Sequence, residues 1–195
     1  MDTMDVLYAR RTIRKFTQEP IPKQILTRIV EVARLAPSAN NRQPLRYLIV
    51  NDPGLCDQVF AHTRWAGMLG PAGTPKEGER PTAYILLLVD TELDWRWSAH
   101  DIGAAAQTIM VAAQNHRIGT CWMGAIDKAA IASLLDIPGK YRLDTLISMG
   151  YPAERSVYED EQGDVKYYKD EQDTLHVPKR RLEDILWYNQ IQEEG

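Results

Sequence analysis

Residues 98–124 read SAHDIGAAAQTIMVAAQNHRIGTCWMG. From Ala99 to about Arg117, small and apolar side chains fall on nearly every side of a helical wheel, so the stretch predicts a long buried helix. Ser98, with Asp101 three residues on, has the spacing of a capping box at its start, and Gly119 supplies the stop. Thr120-Cys-Trp-Met123 then makes a short strand that ends at Gly124. Upstream, Ala83 to Asp90 is a near-continuous apolar run, the pattern of a central strand covered on both faces. A buried helix and a doubly covered strand, with further strands and helices in mixed order, predict an α+β fold in which helices pack on a sheet.

Working outward, Asp2–Arg11 reads as a short first helix. Pro20 and Pro22 punctuate the entry to a second, Lys23–Ala36, whose Ile25, Ile29, Val32 and Ala36 form an amphipathic stripe ending before Pro37. Leu45–Val50 is aromatic and β-branched, a strand, and Asn51-Asp-Pro-Gly54 has the residues of a turn. Residues 61–81 hold seven Gly and Pro and read as a long loop or lid, with Trp65 and Met68 as apolar anchors. Downstream, Asp127 caps a helix to about Leu135, Leu143–Gly150 is a strand, Tyr158–Asp173 a polar excursion and Leu182–Gln190 a last helix.

The chain of 195 residues is sized for one domain, 1–195, and its 44% hydrophobic content can supply a core without disulfides or structural metal. No apolar run approaches the ~20 residues that span a bilayer, and the N-terminus lacks the apolar core of a signal peptide. Cys56 and Cys121 lack metal-ligand spacing and fit a reducing, cytoplasmic setting. The net charge is −4, against a nucleic-acid partner, yet residues 1–50 carry nine Lys/Arg and four Asp/Glu. Four of those bases crowd into Arg10–Lys15, which reads either as a solvated face or as a pocket for one small anion.

Dinucleotide, P-loop, nucleophile-elbow, zincin and EF-hand motifs are absent, and the four histidines are scattered. Three segments carry possible chemistry. In Arg10-Arg11-Thr12-Ile13-Arg14-Lys15, guanidinium forks and a hydroxyl suit a phosphate. Ala36-Pro37-Ser38-Ala39-Asn40-Asn41-Arg42-Gln43-Pro44 is dense in groups that both donate and accept, as reading a uracil-like ring edge requires; an ordinary Asn-rich turn is the alternative. Gly119-Thr-Cys-Trp-Met-Gly124 ends a strand at a glycine, where backbone can closely approach a flat ring.

In this order and spacing, RRTIRKF, APSANNRQPLRYLIV, the Ala-rich helix into GTCWMG, and VPKRRLEDIL resemble the nitroreductase family of flavin mononucleotide (FMN) oxidoreductases. The resemblance spans essentially the whole chain and is least distinctive over 52–97. It implies a three-layer α/β/α fold with a mixed central sheet and an intertwined homodimer with flavin sites at the interface. By position it implies that Arg10, Arg11, Thr12 and Arg14 hold the phosphate, ribityl chain and pyrimidine side. Pro37, Ser38, Ala39 and Asn41 would come from the other subunit, with Gln43 in the same step. Met123 and Gly124 would bring backbone N–H to flavin N5, and Lys179 and Arg180 would close on the phosphate. Arg181 stands where the family often has proline, which leaves open which of the three bases reaches it. A cation such as Arg14 near N1 and O2 would stabilise the reduced, anionic flavin. No side chain need act as acid or base, and no metal is implied. The activity implied is NAD(P)H-driven, ping-pong reduction of nitroaromatic or quinone-type acceptors, with no preference between NADH and NADPH legible. Reductive dehalogenation, flavin degradation or flavin binding without turnover are the alternatives. Trp65 is the candidate substrate contact, a planar face opposite the flavin, unless it only pins the loop to the core.

Overall fold

The apolar run at 83–90 is a central strand. In the computed structural model, which describes residues 2–191, the chain packs as two compact units, 1–153 and 154–195, where the sequence reading takes 1–195 as one domain. The first unit contains, in chain order, α1 (Thr3–Ala9), α2 (Lys23–Ala33), β1 (Leu45–Val50), α3 (Pro53–Phe60), β2 (Ala83–Asp90), α4 (Ser98–Asn115), β3 (Gly119–Met123), α5 (Lys128–Leu134) and β4 (Tyr141–Gly150). Its sheet runs β1-β2-β4-β3 with antiparallel pairing throughout. The parallel component is one bridge, Thr12 to Thr120, that lays the 11–16 segment along β3.

Strand alternation sorts the core into two layers. Ile85, Leu87, Val89, Ile147 and Met149 face the cluster that includes Leu26 and Ile29 of α2 and Ile102, Ala106 and Ile109 of α4. Tyr84, Leu86, Leu88 and Leu146 face Cys56 and Val59 of α3 and Ile131 of α5. The result is helix–sheet–helix, as expected. A β-bulge leaves Asp144 unpaired, because Leu87 faces Thr145 while Leu88 faces Leu143. The extra residue reverses the alternation, so Leu143 joins the Leu146 face.

Several boundaries differ from the sequence reading. The expected turn at 51–54 opens α3: Asp52 accepts from the Leu55 N–H (2.9 Å), and Pro53 takes the first helical turn, where no N–H is needed. The Ser98/Asp101 capping box does not form. Ser98 Oγ instead accepts from the Trp95 N–H, and Asp101 is spent on another segment. Helix α4 is not enclosed on every side, since Ala99, His100, Gln107 and Asn115 are exposed.

The second unit holds β5 (Ser156–Asp160), β6 (Tyr168–Lys169) and β7 (Leu175–Lys179), ordered β5-β7-β6. The polar excursion expected at 158–173 thus contains two strands. His176 ties them together: Nδ1 lies 2.8 Å from Glu159, Nε2 lies 3.1 Å from Asp170, and Tyr168 stacks on the ring. The helix expected at 182–190 reduces to one 3₁₀ turn, Leu182–Asp184, and Ile185, Leu186, Trp187 and Tyr188 are exposed. A nine-residue helix is not self-sustaining without a packed face.

Candidate functional site

Segment 10–16 is held in place by backbone. Arg10 ends α1, its N–H donating to the Val6 carbonyl (2.9 Å). The Ile13 N–H donates to Thr120 O (2.9 Å), and Ile13 packs so closely on Gly119 that a Cβ there would lie 2.8 Å from its own. Phe16 is fully buried and occupies the space beside Gly150. With Ile13 and Phe16 turned inward, Arg10, Arg11, Thr12 and Arg14 are left half-buried. Arg11 donates to the Tyr8 carbonyl, and Lys15 faces Glu79 at 3.8 Å. The Arg10 guanidinium finds no anion among the described residues, and burial lowers its pKa.

Loop 37–43 is clasped by a buried carboxylate. Asp101, 4% exposed in the first turn of α4, accepts from Ser38 Oγ (2.7 Å) and from the Ala39 N–H (2.9 Å). Ser38 Oγ in turn accepts from the Gln43 N–H (2.9 Å). Between these clamps Asn40, Asn41 and Gln43 all take positive φ, 52°, 52° and 51°. Asn tolerates this region; Gln does so at a cost that the clamps offset. Gln43 Nε2 donates to Asn41 Oδ1 (3.0 Å), so part of the amide capacity counted from sequence is used inside the loop. Pro37 is exposed, and Arg42 stacks over Trp95 at 5.0 Å. The sequence reading missed Asp101 as the clamp, because its spacing from Ser98 suggested a cap.

Met123 is buried, whereas Gly124 is exposed on a groove of about 630 Å³. The opposite wall is Ala61–Arg64, tied across by Arg64 N–H to Ala125 O (2.9 Å) and Asp127 N–H to His62 O (2.9 Å). His62, Thr63 and Arg64 therefore belong beside Gly124, although nothing in their sequence spacing linked them to it. Trp65 turns away from the groove. It is 6% exposed, packs on Phe60 with ring centroids 5.8 Å apart, and donates to Thr63 Oγ1 (2.8 Å). The substrate role read for Trp65 gives way to that of a core anchor, since its face and its N–H are both occupied; Met68 of the same loop is 63% exposed.

The profile of the nitroreductase family matches residues 7–151. The chain belongs to the nitroreductase family. It is accordingly an oxidoreductase. An Archaeoglobus fulgidus protein named NADH dehydrogenase/NAD(P)H nitroreductase is 28% identical over 166 residues, covering 81% of this chain and 90% of its own. An iodotyrosine deiodinase of Thermotoga neapolitana is 28% identical over 162 residues, covering 76% and 87%. A Desulfovibrio desulfuricans structure described as a nitroreductase in complex with FMN superposes with a TM-score of 0.69 at 25% identity, covering 98% and 99%.

In this nitroreductase-family chain the two polar segments do not meet. The Ser38 loop is clasped at the N-terminal turn of α4, whereas α1, which leads into Arg10, lies against Val111, Asn115 and His116 at its C-terminal end. Asp101 and Asn115 are separated by about 21 Å of helix rise. Of the C-terminal bases, Lys179 ends β7 and Arg180 follows it, both exposed, while Arg181 faces Glu183 at 3.7 Å. Neither cysteine reads as a nucleophile: both are buried, and burial pushes the Cys56 thiol up to about 12.

Proposed function

We propose that this chain is an FMN-dependent oxidoreductase that draws on NADH or NADPH and reduces nitroaromatic or quinone-type acceptors, working as a homodimer with flavin sites at the interface. The carrying observation is Arg10: a half-buried guanidinium with no acidic partner among the described residues suits a bound anion. A phosphomonoester supplies about −1.5 to −2 charges, which Arg10, Arg11 and Arg14 with the Thr12 hydroxyl are placed to offset. FMN, when bound, supplies the two-electron carrier between donor and acceptor. The protein's share is to bind the phosphate, offer the Gly124 N–H at the ring and present the groove beside it. One groove serving donor and acceptor in turn predicts ping-pong kinetics.

Two observations support the dimer. The loop and the arginine segment lie at opposite ends of α4, so a site using both takes them from two copies. The 690 Å³ groove formed by α1, α2 and α4 is lined in part by Val6, Ile29, Val32 and Val111, and Met4 and Tyr8 of α1 and Leu35 just after α2 are 56%, 61% and 68% exposed, apolar surface suited to a second copy. Cys56 is a free, buried thiol, in keeping with a reducing, cytoplasmic setting.

The test is spectroscopic. Purified protein should be yellow with flavin absorbance that bleaches on anaerobic addition of NADH or NADPH and returns on adding a quinone or nitroaromatic. A colourless protein that takes up no added FMN refutes the reading, and a yellow one that does not bleach is a passive binder. Equal identity to the nitroreductase and to the deiodinase keeps reductive dehalogenation as the second reading. Iodide release from an iodophenol at a rate exceeding nitro and quinone reduction would select it.

A further inference from the structure

Thr145 lies two residues before Ile147 in regular alternation and so faces the α2/α4 side of the sheet, 3% exposed. Trp122 pairs with Ile147 across β3 and β4, so Thr145 is its diagonal neighbour on the same face, within reach of a long side chain. The contact is made: Trp122 Nε1 lies 2.8 Å from Thr145 Oγ1, which lies 2.6 Å from the Met123 carbonyl oxygen. The direction of both bonds is fixed by chemistry. An indole N–H only donates and a carbonyl only accepts, so the hydroxyl accepts from Trp122 and donates to Met123. The Met123 carbonyl and the Gly124 N–H are the two ends of one planar peptide unit. Gly124 is exposed on the groove, and its N–H has no acceptor among the described residues.

We propose that Thr145 and Trp122 are positioning residues: the chain from indole to hydroxyl to Met123 carbonyl orients the Met123–Gly124 peptide and strengthens its outward N–H as a donor to the bound flavin ring. The inference rests on the flavin reading above. Hydrogen bonds in series polarise one another, by roughly 10–30% per bond. β-Branching limits the rotamers of Thr145, so the hydroxyl holds its aim. The sequence contains the parts but not the arrangement, which depends on the register of β3 against β4. An N–H aimed at N5 favours the oxidised ring, where N5 is an acceptor, over the reduced ring, where N5 carries hydrogen.

Thr145→Val keeps the shape and removes the hydroxyl, Thr145→Ser keeps the hydroxyl, and Trp122→Phe removes only the first donor. In the flavin-free protein, the Gly124 amide proton resonance should move upfield in Thr145→Val, less in Trp122→Phe, and stay near the parent in Thr145→Ser. In the FMN-loaded protein, Thr145→Val should bind oxidised FMN about threefold more weakly, the lower end of one hydrogen bond's contribution, with reduced FMN unchanged. That ratio corresponds to a midpoint potential about 14 mV higher for a two-electron couple. The proposal is overturned if amide shift and potential stay at parent values in a folded Thr145→Val, or if Thr145→Ser behaves as Thr145→Val does. If Thr145→Val does not fold, Trp122→Phe, a change at a 45% exposed edge residue, decides by the same readouts. If the parent takes up no FMN, the flavin reading fails separately, and the Gly124 amide still decides whether the two side chains act on that peptide.

Discussion

Arg10, Asp101 and Trp65 show three fates for a residue singled out by type. Arg10 keeps a partly desolvated charge with no acidic partner among the described residues, so Arg10→Ala should weaken FMN binding by about ten- to a hundredfold, the range for charged hydrogen bonds. Fluorescence titration of the apoprotein measures this, with an unchanged melting temperature as control. Asp101 is committed inward to Ser38 and Ala39. Trp65 is core, so Trp65→Ala should cost about 3–5 kcal/mol of stability, as aromatic truncations do. Denaturant unfolding checks it, and kcat/KM for a quinone and a nitroaromatic should change by the same factor; a change in their ratio would return Trp65 to the substrate.

At the scale of elements, the approach of segment 10–16 to β3 depends on a missing Cβ. Gly119→Ala would set a methyl 2.8 Å from Ile13 Cβ, which should cost about 1–3 kcal/mol and lower FMN affinity by displacing the arginines; unfolding and flavin titration on one sample test both effects. The small sheet of the second unit predicts a pH dependence. Hydrogen bonds to Glu159 and then Asp170 raise the His176 pKa above its ordinary 6.5. The tie is thus fully present below that value and is lost as pH rises through the raised one. Glu159 and Asp170 are lowered, chiefly by His176, so the tie is also lost in acid as pH falls through their values. Protection of the β5 and β7 amides, taken relative to their intrinsic exchange at each pH, should be greatest in the window between, and His176→Gln should flatten the alkaline limb.

For the whole molecule, the decisive prediction is complementation. If each site takes arginines from one copy and the clamped loop from another, Arg10→Ala and Asp101→Ala chains assembled into one dimer should leave one intact site per dimer. Tagged heterodimers should then hold about half the parent's FMN, while either homodimer holds little. No recovery in the heterodimer would place each site within one chain. Sedimentation of the parent should show a dimer whether or not flavin is bound.

The amino-acid sequence alone determined β1 and β2 to the residue and α4 to within two at each end, because local pattern decides them: short runs rich in aliphatic and aromatic residues and bounded by turn residues read as strands, and a long run of small residues with a glycine stop reads as a helix. The arginine segment and the Asn-rich loop were equally legible, since charge and amide density are properties of neighbours in the chain. Contacts across the fold were not. Asp101 looks like a cap until Ser38, sixty-three positions away, claims it. Trp65 looks like a substrate face until Phe60 covers it. The 182–190 segment reads as helical until no packed face supports it. Only the tertiary structure could place Thr145 under the Met123 carbonyl, because the register of β3 against β4 decides which side chains become diagonal neighbours, and nothing local announces that register.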